Sequence, residues 1–270
     1  MRLLYLGDVV GRAGRRAVHT VLPQMRSERA IDFVVVNAEN ATNGLGLTCA
    51  HARQFFDAGA DCLTLGDHAF DQKEMLHGVE QDQRILRPLN FGKAVPGRGA
   101  GLFETADGRK VFVALALGRV FMKPTFDDPF SAVDEALRTA PLKGRADAVI
   151  VDIHAEATSE KNAMGHFLDG RASLVVGSHT HIPTADGRIL PHGTAYLTDA
   201  GMCGVYQSVI GFDQEIPLGQ FRTGVKRGRA SPATGEATVS GLIVTTSDET
   251  GLAVSIEQIQ IGGVFRRSSD

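Results

Sequence analysis

Cysteine is scarce in this chain: among 270 residues there are three, Cys49, Cys62 and Cys203. Their number is odd, they are widely spaced, and none belongs to a Cys-x-x-Cys pair. This pattern argues against a disulfide framework and against a thiolate zinc site. It predicts a protein of a reducing compartment, the cytoplasm.

Long hydrophobic runs are also missing. The longest uninterrupted apolar stretch, residues 111–117, is far shorter than the roughly 20 residues that cross a bilayer. The apolar run near the start of the chain stops at Asp8, too early for a secretory signal. The sequence therefore predicts neither a membrane span nor a signal peptide.

Neither sign of charge is in large excess, because 28 basic and 31 acidic residues leave a formal net charge of −3. Binding of long nucleic acids depends on clustered Lys and Arg, so we expect no general attraction to a phosphate backbone. A small anionic substrate is compatible with this balance. The other fractions, 43% hydrophobic and 22% charged, are those of a globular protein with a sizeable core.

Short β-branched runs recur along the first two thirds of the chain and predict buried strands of an α/β sheet. They occupy residues 3–6, 33–36, 62–65, 111–117, 148–153 and 174–176. Helical spacing predicts crossover helices over 48–58 and 131–140.

From about residue 194 the pattern becomes β-rich. The strands predicted there occupy residues 196–197, 240–245 and 252–259. The last two form an antiparallel hairpin, and a long exposed loop covers residues 221–237. We expect a single domain spanning 1–270 that includes this β-rich part, with residues 266–270 frayed.

Polar residues that can bind metals stand at the ends of five of the predicted strands or directly after them. Ligands of open α/β sheets bind at the carboxyl ends of the strands, so these residues should share one rim. They are Asp8, Glu39 with Asn40, Asp67 with His68, Asp152 with His154, and His179 with His181. Taken alone, each is also explained by a helix cap, a turn or a structural histidine.

Their joint occurrence indicates a metal site. Carboxylate oxygens and imidazole nitrogens are the mixed donor set that divalent Mn, Fe and Zn ions accept. His179 and His181 stand two residues apart beyond a strand and can point toward one cluster. The donors exceed what a single ion needs, so two metals sharing a bridging carboxylate are the simplest arrangement, and such a pair can clamp a phosphoryl group.

The strand-end motifs resemble those of the YmdB-like branch of the calcineurin-like metallophosphoesterases. The matching segments are Gly7-Asp8-Val9-Val10-Gly11, Asn37-Ala38-Glu39-Asn40, Gly66-Asp67-His68, residues 152–161, Gly177-Ser178-His179-Thr180-His181, Thr198-Asp199-Ala200-Gly201-Met202 and Ser208-Val209-Ile210-Gly211. They are spread over nearly the whole chain, and their combination is highly specific.

The resemblance implies an α/β fold, the four-layer α/β/β/α sandwich, and phosphodiesterase activity on small substrates such as 2′,3′-cyclic AMP. It also implies two divalent or mixed-valence metal ions, iron or manganese. The metal ligands it implies are Asp8 and His181 for the first ion, Glu39 as the bridge, and Asn40, Asp67, His154 and His179 for the second ion. His68 matches the residue that gives a proton to the leaving oxygen.

The chain departs from the pattern it resembles. The family usually has Asn where this chain has Asp67, which adds a negative charge to the site. Broader calcineurin-like enzymes carry a His in the first motif where Val10 stands, and a bridging Asp where Glu39 stands. The extra carboxylate is expected to strengthen metal retention and to weaken attraction for an anionic phosphodiester.

Two other functions stay open at this point. A phosphomonoesterase would use the same metal clamp. A metal-containing regulatory protein would bind nucleotide or RNA without turnover, and a homo-oligomer is compatible with either. His68 beside a complete set of ligands favours catalysis, because a binding protein needs no proton donor.

Other motifs are weaker. The glycines of the first motif lack the spacing of a dinucleotide site. A basic cluster of Arg222, Lys226, Arg227 and Arg229 fits a solvated loop, an anion site or a partner surface. Lys161 has two interpretations, a substrate contact or a place in a helix that Ser159 caps.

Overall fold

The structure, a computed structural model, describes residues 1–123 and 126–265 of the chain. The strands are β1 (Arg2–Leu6), β2 (Asp8–Val9), β3 (Phe33–Asn37), β4 (Cys62–Thr64), β5 (Ile85–Leu86), β6 (Ala100–Glu104), β7 (Lys110–Leu117), β8 (Ala148–His154), β9 (Leu174–Ser178), β10 (Arg188–Ile189), β11 (Ala195–Leu197), β12 (Met202–Cys203), β13 (Val239–Thr246) and β14 (Ala253–Ile261). The helices are α1 (Gly11–Glu28), α2 (Cys49–Asp57), α3 (Met75–Gln81), α4 (Pro129–Thr139), α5 (Thr158–Phe167) and α6 (Glu215–Thr223). The predicted fraying of residues 266–270 lies outside the described ranges.

Two six-stranded sheets carry the architecture. The first has the order β14-β13-β1-β3-β4-β5 and the second the order β10-β11-β9-β8-β7-β6, while β12 and β2 form a small ribbon. In the first sheet β1, β3, β4 and β5 run parallel, and in the second β7, β8, β9 and β11 do. Each sheet therefore collects the carboxyl ends of its parallel strands on one rim.

Three apolar clusters show how the layers stack. The cluster between the sheets includes Leu3, Tyr5, Val35, Val113, Ile150 and Val176. A second cluster packs α1 and α2 on the outer face of the first sheet through Val18, Leu22 and Phe55. A third packs α4 and α5 on the second sheet through Val133, Leu137 and Met164. The predicted four-layer α/β/β/α sandwich is confirmed.

The central strands are apolar on both faces because each face packs against another layer. In β1, Leu3 and Tyr5 point into the cluster between the sheets, whereas Leu4 and Leu6 point toward the helices. This two-sided burial explains why the parallel strands appear in the sequence as continuous apolar runs without polar alternation.

The β-rich C-terminal part completes both sheets. β13 and β14 form the predicted antiparallel hairpin, in which Val239 is paired with Ile261. β13 is also antiparallel to β1, and β11 is parallel to β9. The C-terminal strands thus pair with strands from the rest of the chain, as a single domain would require. The single domain over residues 1–270 stays a prediction.

Two local predictions are wrong. The predicted loop 221–237 begins three residues too early, because helix α6 continues to Thr223; Gly224 follows it with a φ of 71°, in the left-handed region that favours glycine after a helix. Ser159 does not cap α5, because the N-cap is Ala157 and it makes no side-chain hydrogen bond to the helix. The helix instead begins directly from the turn after β8.

The cysteines are unpaired thiols. Cys62 and Cys203 are buried, and burial raises the pKa of both, that of Cys203 to about 12. They are therefore inert core residues. Among the described residues, no helix combines the length and the apolarity that a membrane crossing needs.

Candidate metal centre

The strand ends of both sheets meet at one cleft. The first sheet contributes Glu39 and Asn40 after β3 and Asp67 after β4, with Asp8 from the ribbon strand β2. The second sheet contributes His154 at the end of β8, and His179 and His181 after β9. All of the predicted ligand residues thus lie where the two sheets face each other.

Four of these residues form one cluster: Glu39, Asp67, His154 and His179 each offer a donor atom within 4.8 Å of the others. His154 Nε2 lies 3.0 Å from Asp67 Oδ1 and 3.1 Å from Glu39 Oε1. His179 Nδ1 lies 3.3 Å from the same Asp67 oxygen. Glu39 and His154 are fully buried, whereas Asp67 and His179 are partly exposed, so the cluster reaches from the interior to the cleft.

The remaining donors form a second group beside it. Asn40 Oδ1 lies 3.2 Å from His181 Nε2, which in turn lies 3.9 Å from Asp8 Oδ1. Asn40 therefore accompanies Asp8 and His181, whereas the resemblance implies a place with Asp67. The side chain of Asn40 also donates to the carbonyl of Gly44, and this hydrogen bond aims its oxygen at His181.

A chain of hydrogen bonds behind His154 fixes its ring. His154 Nδ1 lies 2.8 Å from Ser178 Oγ, and the Ser178 hydroxyl donates to Asp152 Oδ1 at 2.7 Å. Tyr5 and Thr64 also donate to Asp152, and burial raises the pKa of this carboxyl to about 6. With Nδ1 occupied in this way, Nε2 is left to face the cluster.

A similar support holds His181. Its Nδ1 donates to the carbonyl of Ile210 at 2.8 Å, which leaves Nε2 free toward Asn40 and Asp8. Both histidines of the His-Thr-His segment have positive φ, 96° for His179 and 66° for His181. Such backbone strain persists only where the surroundings hold it in place.

The residue between the two histidines is held by a buried ion pair. The Thr180 amide and hydroxyl both donate to Asp199 Oδ2, at 3.1 and 2.7 Å. Lys161 Nζ donates to the same oxygen at 2.8 Å, and both Lys161 and Asp199 have no exposed surface. Of the two interpretations of Lys161, the structure excludes direct contact with a substrate and assigns the residue to this support.

Replacing the lysine tests that support. Lys161→Met is expected to lower the free energy of unfolding by about 3–5 kcal/mol, because Asp199 then becomes an unpaired buried charge. Lys161→Met/Asp199→Asn should recover much of this loss, since no charge is stranded. Denaturant unfolding of both variants measures the difference, and equal losses in the two would contradict the ion-pair role.

The centre has the electrostatics of a cation site. Burial would lower the pKa of His154, but Glu39, Asp67 and Asp8 outweigh burial and raise it well above its ordinary value. Burial would likewise raise the pKa of Asp67, but hydrogen bonds from His154 and His179 hold it well below its usual range. The carboxylate of Asp67 therefore stays ionised, and the carboxylates around His154 attract positive charge, as a cation site requires.

Three observations test whether metal ions fit here. Asp8 Oδ1 and Glu39 Oε1 are buried without a hydrogen-bond partner. His154 Nε2 converges with carboxylate oxygens of Glu39 and Asp67, at 3.1 and 3.0 Å, so a cation among them would meet three donor atoms. Gly66 leaves the space open, since a Cβ there would overlap Glu39 and His154. Oxygen and imidazole donors together suit divalent transition metals, so the residues fit.

His68 stands at the edge of this centre. Its backbone amide donates to Glu39 Oε2, and its Nδ1 lies 2.9 Å from Asp71 Oδ2. Burial would lower the pKa of His68, but the carboxylates of Glu39, Asp67 and Asp71 outweigh it and raise the pKa. The imidazole lines a cleft of about 310 Å³ together with residues of both donor groups.

Sequence reasoning missed several supporting residues. Asp71 orients His68 from three positions later in the chain, a spacing that is visible in the sequence once the turn is expected. Glu156 Oε2 lies 3.4 Å from His179 Nε2 at the mouth of the cleft. The pairing of Lys161 with Asp199 has no such signal, because 38 residues separate the two.

Two sheets stacked between helices, with carboxylates and imidazoles at the joint strand ends, define a calcineurin-like metallophosphoesterase. Within that class, the family described as YmdB-like protein matches residues 4–259. The chain belongs to the YmdB-like family.

Relatives of known sequence and structure agree with this assignment. A 2′,3′-cyclic-nucleotide 2′-phosphodiesterase of Bacillus subtilis is 42% identical over 97% of this chain and 97% of its own length. A hypothetical protein of Thermus thermophilus has a TM-score of 0.89 and 41% identity, covering 98% of this chain and 100% of its own. A Mycoplasma pneumoniae structure, described as a novel phosphatase, also has a TM-score of 0.89. It is 36% identical and covers 97% of this chain and 93% of its own.

Proposed function

We propose that this chain is a metal-dependent phosphodiesterase that hydrolyses small phosphodiesters such as 2′,3′-cyclic AMP at a dinuclear iron or manganese centre. The observation that carries the proposal is the buried cluster of Glu39, Asp67, His154 and His179, with His68 beside it. The name of the Bacillus subtilis relative, a 2′,3′-cyclic-nucleotide 2′-phosphodiesterase, gives the same class of substrate. Three unpaired thiols suit the cytoplasm as the place of action.

The residues divide into holders of ions and a proton donor. Asp8, Asn40 and His181 would hold one ion, and Asp67, His154 and His179 the other, with Glu39 between them. When bound, such ions neutralise the charge of the phosphodiester and make water more acidic. His68 lines the cleft without belonging to the cluster, and Asp71 orients its ring, so its proton can reach the leaving oxygen.

The size of the cleft supports a small substrate. A volume of about 310 Å³ is at the lower end of the range of ligand pockets. Phe212 and Leu45 line the cleft beside the polar donors, and Phe212 offers a surface on which a base can lie. A mononucleotide is therefore the natural unit that enters it.

Hydrolysis measured after metal exchange tests the proposal. Protein stripped with a chelator should be inactive and should regain activity with Mn²⁺ or Fe²⁺, releasing a nucleoside monophosphate from 2′,3′-cyclic AMP. Bis-p-nitrophenyl phosphate should be turned over faster than mono-p-nitrophenyl phosphate, and the reverse order would favour a phosphomonoesterase. Metal-loaded protein that binds the cyclic nucleotide without consuming it would contradict catalysis.

Asp67 tests the charge balance of the centre. Asp67→Asn keeps an oxygen that can face His154 and His179 but removes one of the three carboxylate charges contributed by Asp8, Glu39 and Asp67. We expect metal ions to leave faster under a chelator and the KM for a cyclic nucleotide to fall, because the site becomes more positive.

A matched control separates local charge from ligation at this position. Asp71→Asn removes the same charge from the same turn, but Asp71 is outside the four-residue cluster. Chelator resistance, followed by metal analysis over time, should therefore change only in Asp67→Asn. If both variants keep their metals as firmly as the parent, Asp67 is not a ligand.

A further inference from the structure

The outward face of α1 carries a row of basic side chains. Arg12, Arg15, Arg16 and His19 stand at positions i, i+3, i+4 and i+7, so they lie along one side of the helix. The opposite side, from Gly11 to Met25, faces the core. We call the first three residues the arginine row.

The arginine row has no carboxylate partners among the described residues. Arg26 in the last turn of the same helix is paired with Asp61, and Arg29, directly after the helix, is paired with Glu257. The first turn contains no acidic residue. Burial lowers the pKa of Arg15, and the neighbouring charge of Arg12 lowers it further. Like charges crowded together in this way favour an anion.

The row lies beside the loop that borders the metal cleft. The Arg15 guanidinium donates to the carbonyl of Ala41, the residue after Asn40. A groove of about 710 Å³ runs between α1 and residues 232–237, lined by Arg12, Arg16 and Asn43, with Glu236 as its one carboxylate among the described residues. A smaller cavity of about 420 Å³ is lined by all three arginines and His19.

The groove and the metal cleft lie on the two sides of the short loop 40–45. Phe212, which lines the cleft, and Pro232, which lines the groove, both approach Gly44, where an added Cβ would meet their side chains. Asn43 lines the groove, whereas Asn40 and Leu45 line the cleft. A chain leaving the cleft over this loop therefore arrives at the arginine row.

We propose that the arginine row binds the backbone phosphates of a short oligoribonucleotide whose terminal cyclic phosphodiester enters the metal cleft. This proposal rests on the proposed function and names its substrate class more closely. A single phosphate is best held by groups that converge on one point, whereas a linear row of charges matches a linear polyanion. The net charge of −3 conceals this local cluster.

A comparison of two substrates tests the proposal. One is 2′,3′-cyclic AMP, and the other is a hexaribonucleotide that ends in a 2′,3′-cyclic phosphate. Because a few phosphate contacts are worth about tenfold in affinity, kcat/KM should be about tenfold higher for the hexaribonucleotide at low salt. This preference should shrink as salt is added, and Arg12→Gln/Arg16→Gln should abolish most of it.

Arg138→Gln is the matched control, because Arg138 is an exposed arginine on α4, on the other outer layer of the sandwich. It should keep the full preference for the hexaribonucleotide. Equal kcat/KM for the two substrates in the parent, or the same preference in the parent and the double variant, would overturn the proposal.

A binding measurement keeps this test independent of catalysis. Fluorescence anisotropy of a labelled hexaribonucleotide with a plain 3′-hydroxyl should show salt-dependent binding to the parent that the double variant loses. If the parent hydrolyses neither substrate but binds the hexaribonucleotide in this way, the proposed function fails while the arginine row stands. Equal binding by the parent and the double variant would show that the arginine row does not bind the backbone phosphates.

Discussion

Glu39→Gln is expected to lower hydrolysis of a cyclic nucleotide by at least about 10²-fold. Loss of a partner that only orients a metal ligand already costs about 10–100-fold in affinity or activity, and Glu39 lies inside the cluster itself. One of its oxygens is buried without a hydrogen bond, and the other accepts the amide of His68. An amide would put an NH₂ group at one of these two positions, and it bridges cations poorly.

Metal analysis and activity must be measured on the same preparation. We expect Glu39→Gln to hold fewer ions than the parent, with the metal-free proteins unfolding at similar denaturant concentrations. Glu156→Gln is the matched control, because it removes the same charge from the mouth of the cleft, where Glu156 is half-exposed. Its effect on metal content should be much smaller. Full metal content with parental turnover in Glu39→Gln would rule out the bridging role.

The layers of the fold and the rim of the site could be predicted because the same physical feature produces both. Strands such as β8 are buried on both faces and therefore appear as continuous apolar runs. The first polar residue after such a run marks the rim where ligands bind. Asp67 and His154 were found in this way, and the structure brings them within 3.0 Å of each other.

Other features had no signal along the chain. Helix α6 buries none of its residues, so no apolar periodicity distinguishes it from a loop. The grouping of Asn40 with His181 depends on how the two sheets face each other, and adjacency to Glu39 cannot show it. The ion pair between Lys161 and Asp199 joins a helix to a distant turn, which only the packed structure reveals.

The arginine row is a different case, because its spacing is visible in the sequence. Arg12, Arg15 and Arg16 follow the first strand-end motif at helical intervals. Their significance depends on what is absent around them, since surface arginines are usually paired or solvated. Only the structure shows that the row lies beside the loop that borders the metal cleft.

His68→Ala is expected to slow hydrolysis by about 10²–10⁴-fold while leaving both groups of metal donors in place. Only the backbone amide of His68 contacts Glu39, and the alanine variant keeps that amide. The imidazole itself contacts Asp71 and lines the cleft, so its removal takes away a proton donor and not a ligand. Metal content should therefore match that of the parent.

The leaving group distinguishes a proton donor from a residue that only shapes the cleft. A ribose oxygen leaves as a strong base and needs a proton in the transition state, whereas p-nitrophenolate leaves readily without one. The loss in kcat for His68→Ala should thus be large for 2′,3′-cyclic AMP and small for bis-p-nitrophenyl phosphate. His77→Ala, at an exposed histidine of α3, should affect neither substrate. Equal losses for both leaving groups would show that His68 acts through binding or packing, and the proton donor would then have to be sought among the other groups that line the cleft.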